Sequence, residues 1–130
     1  MRRGVIDAGI AIGWMQGRHR SQRKLDDLFD ACRASQIELI ISIVNLAEVL
    51  MHTADLSRAT GIDSVALLTS NRVSVHRPDE AVARRVAKLR TSLADGFAAA
   101  TAQELSARLH TTDGELIRQL RGTRLALTKY

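Results

Sequence analysis

The chain has 130 residues, 45% of them apolar and 25% charged, with eight Gly and one Pro. This composition suits a single globular domain over residues 1–130 with one sizeable core, and it leaves little material for linkers. The formal charge of +5 and a pI near 10.3 point to a polyanion as partner. Lone Cys32 excludes an internal disulfide framework and suits a reducing cytoplasm. No run approaches the ~20 apolar residues of a membrane helix, and Asp7 interrupts the apolar stretch a signal peptide would need. A cytoplasmic protein without a membrane partner is expected.

In chain order, short β-branched runs alternate with helical periodicity. Strands are predicted at Gly4–Asp7, Ile37–Ser42, Arg72–His76, Leu109–Thr112 and Leu125–Thr128. Each run is short and mainly apolar, as in parallel strands covered on both faces. Ser21–Ala34 spaces Leu25, Leu28, Phe29 and Cys32 as one helical face, and Glu80–Arg90 does so with Val82, Val86 and Leu89. Residues 56–70 read as another helix, weakened by Gly61. Trp14 and Met15 read as core, with an apolar surface for a partner as the competing reading. The small run Ala98-Ala99-Ala100 reads as the face of a helix lying close to the sheet. This alternation predicts an α/β fold, a three-layer α/β/α sandwich around a central, mostly parallel five-stranded sheet.

Four carboxylates stand apart from the other acids. Asp7 closes the first predicted strand, Asp113 follows the fourth, Asp95 opens a small-residue helix, and Glu48 sits within a helix. Gathered at the carboxyl edge of a parallel sheet, they would repel one another unless a hard cation joined them. Helix capping is the plainer explanation for Asp7, Asp113 and the pair Ser92-x-x-Asp95. It fails for Glu48, which lies inside its helix. There Ile43, Leu46, Ala47 and Leu50 read as an apolar face, with Asn45, Glu48 and His52 as a polar line. A solvated face is the competing reading of that line.

These residues resemble the PIN-domain family, in particular the small ribonuclease toxins of the VapC type. The likeness runs through nearly the whole chain. It rests on Val5-Ile6-Asp7, Leu46-Ala47-Glu48-Val49-Leu50, Leu93-Ala94-Asp95 before an Ala- and Thr-rich helix, and Thr111-Thr112-Asp113. The resemblance implies strand order 3-2-1-4-5. It also implies Mg²⁺ or Mn²⁺ held by Asp7, Glu48, Asp95 and Asp113, which serve as both catalytic and metal-binding residues. Thr111 and Asn45 would support them. RNA is the implied substrate, a cognate antitoxin the implied partner, and a homodimer the implied assembly. Arg84, Arg85 and Lys88 are candidate phosphate contacts. One departure stands out: the family often carries Ser, Thr or Asn two residues after the first acid, and here that place holds Gly9.

Two other readings remain open at this point. A PIN-like module could bind RNA or protein without cutting. A phosphoryl-receiving domain would also gather acids at a sheet edge with Mg²⁺, but it needs a carboxylate after the third strand, where His76-Arg77-Pro78 stands. No zinc spacing, nucleophile elbow or phosphate-binding glycine loop is present.

Overall fold

The computed structural model describes residues 1–130. Five strands, β1 (Arg2–Ile6), β2 (Ile37–Ser42), β3 (Ser74–His76), β4 (Arg108–Thr111) and β5 (Leu127–Lys129), form one sheet in the order β3-β2-β1-β4-β5. Every neighbouring pair is parallel. The helices are α1 (Ala8–Gln16), α2 (Gln22–Arg33), α3 (Ile43–Thr60), α4 (Ser64–Ser70), α5 (Glu80–Leu89), α6 (Leu93–Glu104) and α7 (Gly114–Gln119). Fold class and strand order are those expected.

Successive strand residues point to opposite faces, and each face has its own core. Ile6, Leu39 and Ile41 pack with Ile10, Leu25, Phe29 and Leu46 on one side. Val5, Ile40 and Leu109 pack with Ala98, Ala99, Ala102 and Leu116 on the other. Ala98, Ala99 and Ala100 are fully buried, so small side chains do let α6 lie close to the sheet. Trp14 stacks on Phe29 with ring centroids 4.0 Å apart and planes 4° from parallel, which settles its core role. No helix is long and apolar enough to cross a membrane.

Three sequence expectations are corrected. Residues 56–70 are not one helix. Gly61 takes a left-handed φ of 71° and ends α3, and Asp63 restarts the chain by capping α4 at Ala66 N (2.8 Å). The third strand cannot begin at Arg72, whose φ is +68°; it starts at Ser74. Finally, the apolar line on α3 is not a core face. Leu46 is buried, but Ile43 is 39% and Leu50 42% exposed, Met51 beside them is 77% exposed, and Ala47 is exposed. Asn45, Leu46, Val49 and Thr53 face inward instead. A single helix offers two apolar stripes to a pattern search, and only packing decides between them.

Candidate functional site

The strand order reverses direction of growth at β1, between its neighbours β2 and β4. At such a switch point the carboxyl ends of the strands open a crevice. Asp7 directly follows β1 there, and Thr111 ends β4. The Thr111 hydroxyl donates to Asp7 Oδ2, and the Asp113 backbone N–H donates to that same hydroxyl at 3.0 Å. Asp7 Oδ1 accepts from Ile10 N at 2.9 Å, which caps α1. Asp113 caps α7 by accepting from Glu115 N (2.9 Å) and Leu116 N (3.4 Å). Capping is therefore real for two of the acids, yet it does not account for where Asp7 sits.

Asp7 is only 4% exposed. Burial drives its pKa up to about 6; the hydrogen bonds from Thr111 and Ile10 oppose the rise, and the charges of Asp95 and Asp113 add to it. Three acids thus share one electrostatic neighbourhood.

Asp95 differs from the caps. Ser92 caps α6, accepting from Asp95 N at 3.3 Å, but the Asp95 carboxylate makes no return bond and accepts no hydrogen bond from the protein. The capping box is half formed, and a half-buried carboxylate stands free near Asp7. Glu48 is held less directly. Asn45 Nδ2 donates both to Glu48 Oε1 (3.3 Å) and to the carbonyl of Ala94 (3.0 Å), so it links Glu48 to the residue beside Asp95. Asn45 is 1% exposed, which excludes a helix-surface role. Glu48 is half-buried and His52 exposed. The predicted polar line therefore runs from the interior outward.

The donor chemistry suits a hard divalent ion: the available ligands are carboxylate oxygens, with hydroxyls behind them. Asn45 Oδ1 is buried without a donor, an acceptor left over beside the acids. No three acidic, His or Cys side chains converge closely enough here to hold a metal ion between them. Mg²⁺ keeps several of its waters and needs few direct protein ligands.

The place of Gly9 is occupied. A Cβ there would collide with Thr112 Oγ1 and lie 3.4 Å from Asp7 Oδ1. Thr112, which sequence reasoning passed over, puts a hydroxyl where a side chain at position 9 would stand. Its only sequence signal was the departure at Gly9. Lys129, at the end of β5, is a further residue at the edge of this site. Its stem packs on Gly114, with Cε 3.2 Å from where a Cβ would be, next to Asp113. Glu115 is exposed and pairs with Arg118, as expected of a first-turn acid. Arg84, Arg85 and Lys88 stand exposed on α5, away from the acids. Arg84 pairs with Glu80 at 3.0 Å and Arg85 with Glu104 at 3.2 Å.

Residues 4–121 match the family model described as PIN domain. The chain belongs to the PIN-domain family. Its solved structural neighbours include a toxin–antitoxin complex from Klebsiella pneumoniae, at 20% identity and TM-score 0.72, covering 98% of each chain. VapBC2 from Rickettsia felis, bound to a DNA fragment from its promoter, matches at 17% identity and TM-score 0.71, again over 98% of each chain. VapC20 of Mycobacterium tuberculosis, a toxin that cleaves the sarcin–ricin loop, matches at 15% identity and TM-score 0.65, over 88% of this chain and 93% of that one. No curated protein matches. The PIN fold also separates this chain from a receiver domain, whose order is 2-1-3-4-5; β3 here ends at His76 without a carboxylate at its tip, and the next acid, Asp79, caps α5.

Proposed function

We propose that this PIN domain is a Mg²⁺- or Mn²⁺-dependent endoribonuclease and the toxin of a toxin–antitoxin pair. The observation that carries the reading is the position of Asp7. A buried carboxylate whose pKa is raised by its burial and by Asp95 and Asp113 lies at the switch point of a parallel sheet. Asp7, Glu48, Asp95 and Asp113 would hold the ion. A divalent ion bound there supplies an acidified water and offsets charge on the phosphoryl group.

The chain's own residues do the rest. Thr111 fixes Asp7 and positions the Asp113 backbone through one hydroxyl. Asn45 ties Glu48 to the start of α6 and keeps a buried acceptor, Oδ1, beside the acids. Asp95, unbonded within the protein, is free to turn toward a ligand.

Two macromolecular partners follow from this reading. An antitoxin would silence the site by placing a cationic side chain among the acids, in competition with the metal. A second copy of the chain would cover the exposed apolar line of Ile43, Leu50 and Met51 on α3. Expression of the chain alone should arrest growth and cut cellular RNA, and the product of the neighbouring gene should bind it and restore growth. A harmless chain that binds no such product would end the toxin reading.

A further inference from the structure

The amino edge of the sheet, opposite the acids, carries the opposite charge. Arg2 and Arg3 open β1, Arg108 opens β4, Arg85 reaches in from α5, and Arg124 lies just before β5. These five line one cavity of about 690 Å³, a size that takes a ligand of several groups. Only two carboxylates offset them: Glu38 at 3.4 Å from Arg3 and Glu104 at 3.2 Å from Arg85. Arg108 is held in place by donating to the Leu127 carbonyl (2.9 Å) and Thr128 Oγ1 (3.2 Å). Arg2 and Arg124 have no ion-pair partner. Guanidinium groups gathered in one concavity repel each other until an anion joins them, and their planar forks fit phosphate oxygens two at a time.

The cavity does not stand alone. Arg85 and Gln103 also line a second cavity, of about 490 Å³, with Arg84 and Lys88 of α5. Helix α6 runs from Asp95 near the acids to Glu104 near the arginines, and α5 packs along it, with Val86 against Gly96 and Arg85 on Glu104. The basic surface therefore extends along the α5–α6 pair rather than forming an isolated pit. No aromatic side chain lines either cavity, so neither offers a stacking platform for bases.

We infer that the arginine cavity anchors backbone phosphates of the RNA strand at a distance from the cut, holding long substrates without reading their sequence. This inference rests on the ribonuclease reading. The span is set by β1, whose five residues cover ~17 Å at the usual strand rise. An RNA of about four nucleotides at the acids falls short of the anchor, whereas one of about twenty reaches it.

The test compares the wild-type chain with the double variant Arg2→Gln, Arg124→Gln. Both residues are exposed and neither makes a side-chain hydrogen bond within the protein, so the fold should survive. Fluorescence anisotropy with labelled RNA in EDTA measures binding without cutting. The variant should bind the long RNA roughly tenfold more weakly, with a salt slope shallower by about 1.4, since each lost single-strand phosphate contact removes about 0.7. Its affinity for the short RNA should not change, and in Mn²⁺ its KM should rise for the long RNA alone.

Equal affinity and slope for wild type and variant overturn the anchor while leaving a cutting wild type intact. A wild type that never cuts, yet shows the slope difference, defeats the nuclease reading and keeps the anchor. Inorganic triphosphate or ATP binding tightly to the wild type alone, without displacing long RNA, would replace the anchor with a small-anion site. Capture of an acidic peptide in place of RNA would overturn it too.

Discussion

The Thr111 hydroxyl donates to Asp7 Oδ2 and accepts from the backbone N–H of Asp113, so one side chain locks the ends of β4 and β1 together at the crevice. Beside it, Thr112 fills the space left by Gly9. Thr111, the last residue of β4, thus fixes Asp7, and Thr112 just after it takes the place a side chain at position 9 would hold.

That exchange predicts coupling between positions 9 and 112. Gly9→Ser adds a side chain where Thr112 Oγ1 stands, and overpacking should cost about 1–3 kcal/mol. In a Thr112→Ala background the same change should cost clearly less. Urea unfolding of the two single variants and the double variant gives the coupling energy; strictly additive effects would separate the two positions.

The pH dependence of stability has two opposing parts. Asp7, raised to about 6 from 3.8, binds its proton more tightly folded than unfolded. It therefore destabilises the fold as pH rises from about 4 to 6, by about 3 kcal/mol in all. His110 is buried at 5% exposure, its ring standing where Gly4 would carry a Cβ and its Nδ1 2.7 Å from Tyr130 Oη. Burial, helped by Arg108 and Arg2, lowers its pKa from 6.5 to about 4. It therefore destabilises the fold as pH falls from 6.5 to about 4, by a comparable amount. Between pH 4 and 6 the two slopes oppose each other. Asp7→Asn should expose the His110 slope, so that stability rises with pH across that window relative to wild type. It should also stabilise the metal-free chain at pH 7. Thermal unfolding across pH checks both, and parallel curves for wild type and variant would contradict the burial of Asp7.

Glu48→Gln is nearly isosteric and keeps the acceptor that Asn45 donates to. Folding should be unchanged while RNA cleavage falls at least tenfold, because the charge is lost. Asn45→Ala removes the bonds to Glu48 and to Ala94 and should cost about 1–3 kcal/mol of stability as well as activity. Melting curves alongside cleavage rates distinguish the two variants. Full activity in Glu48→Gln would leave a three-acid site.

Much of this was legible in the sequence because it rests on local periodicity. Sheet class followed from the short unbroken runs, and the acids stood out as charges at the ends of those runs. What the sequence hid was set by packing across the chain. Ile43, Ala47 and Leu50 are spaced as a core face, and nothing local reveals that Asn45 and Val49 turn inward instead. Thr112 carried no sign of its own, and only the departure at Gly9 hinted at their contact, which joins residues from opposite ends of the chain. His110 was likewise silent, although a Gly inside β1 hints that something large comes close. The arginine cavity draws on four separate segments, and no sequence window contains it.

The exposed line on α3 makes a prediction about assembly. Met51→Glu places a charge on the apolar stripe, and a dimer joined there should dissociate to monomers with the melting temperature little changed. Light scattering after size exclusion reads the mass directly, and a variant that keeps the wild-type mass would move the interface elsewhere.

The most direct measurement is RNA cleavage by the purified chain in Mn²⁺ and in EDTA, for wild type and Asp95→Asn. The Asp95 carboxylate accepts no hydrogen bond within the protein, so its neutral counterpart should fold as wild type does, and lost cleavage can then be assigned to the site. The account predicts cutting by wild type in Mn²⁺, none in EDTA, and a loss of at least a hundredfold in Asp95→Asn. Cutting that persists in EDTA, or equal cutting by wild type and variant, would contradict it.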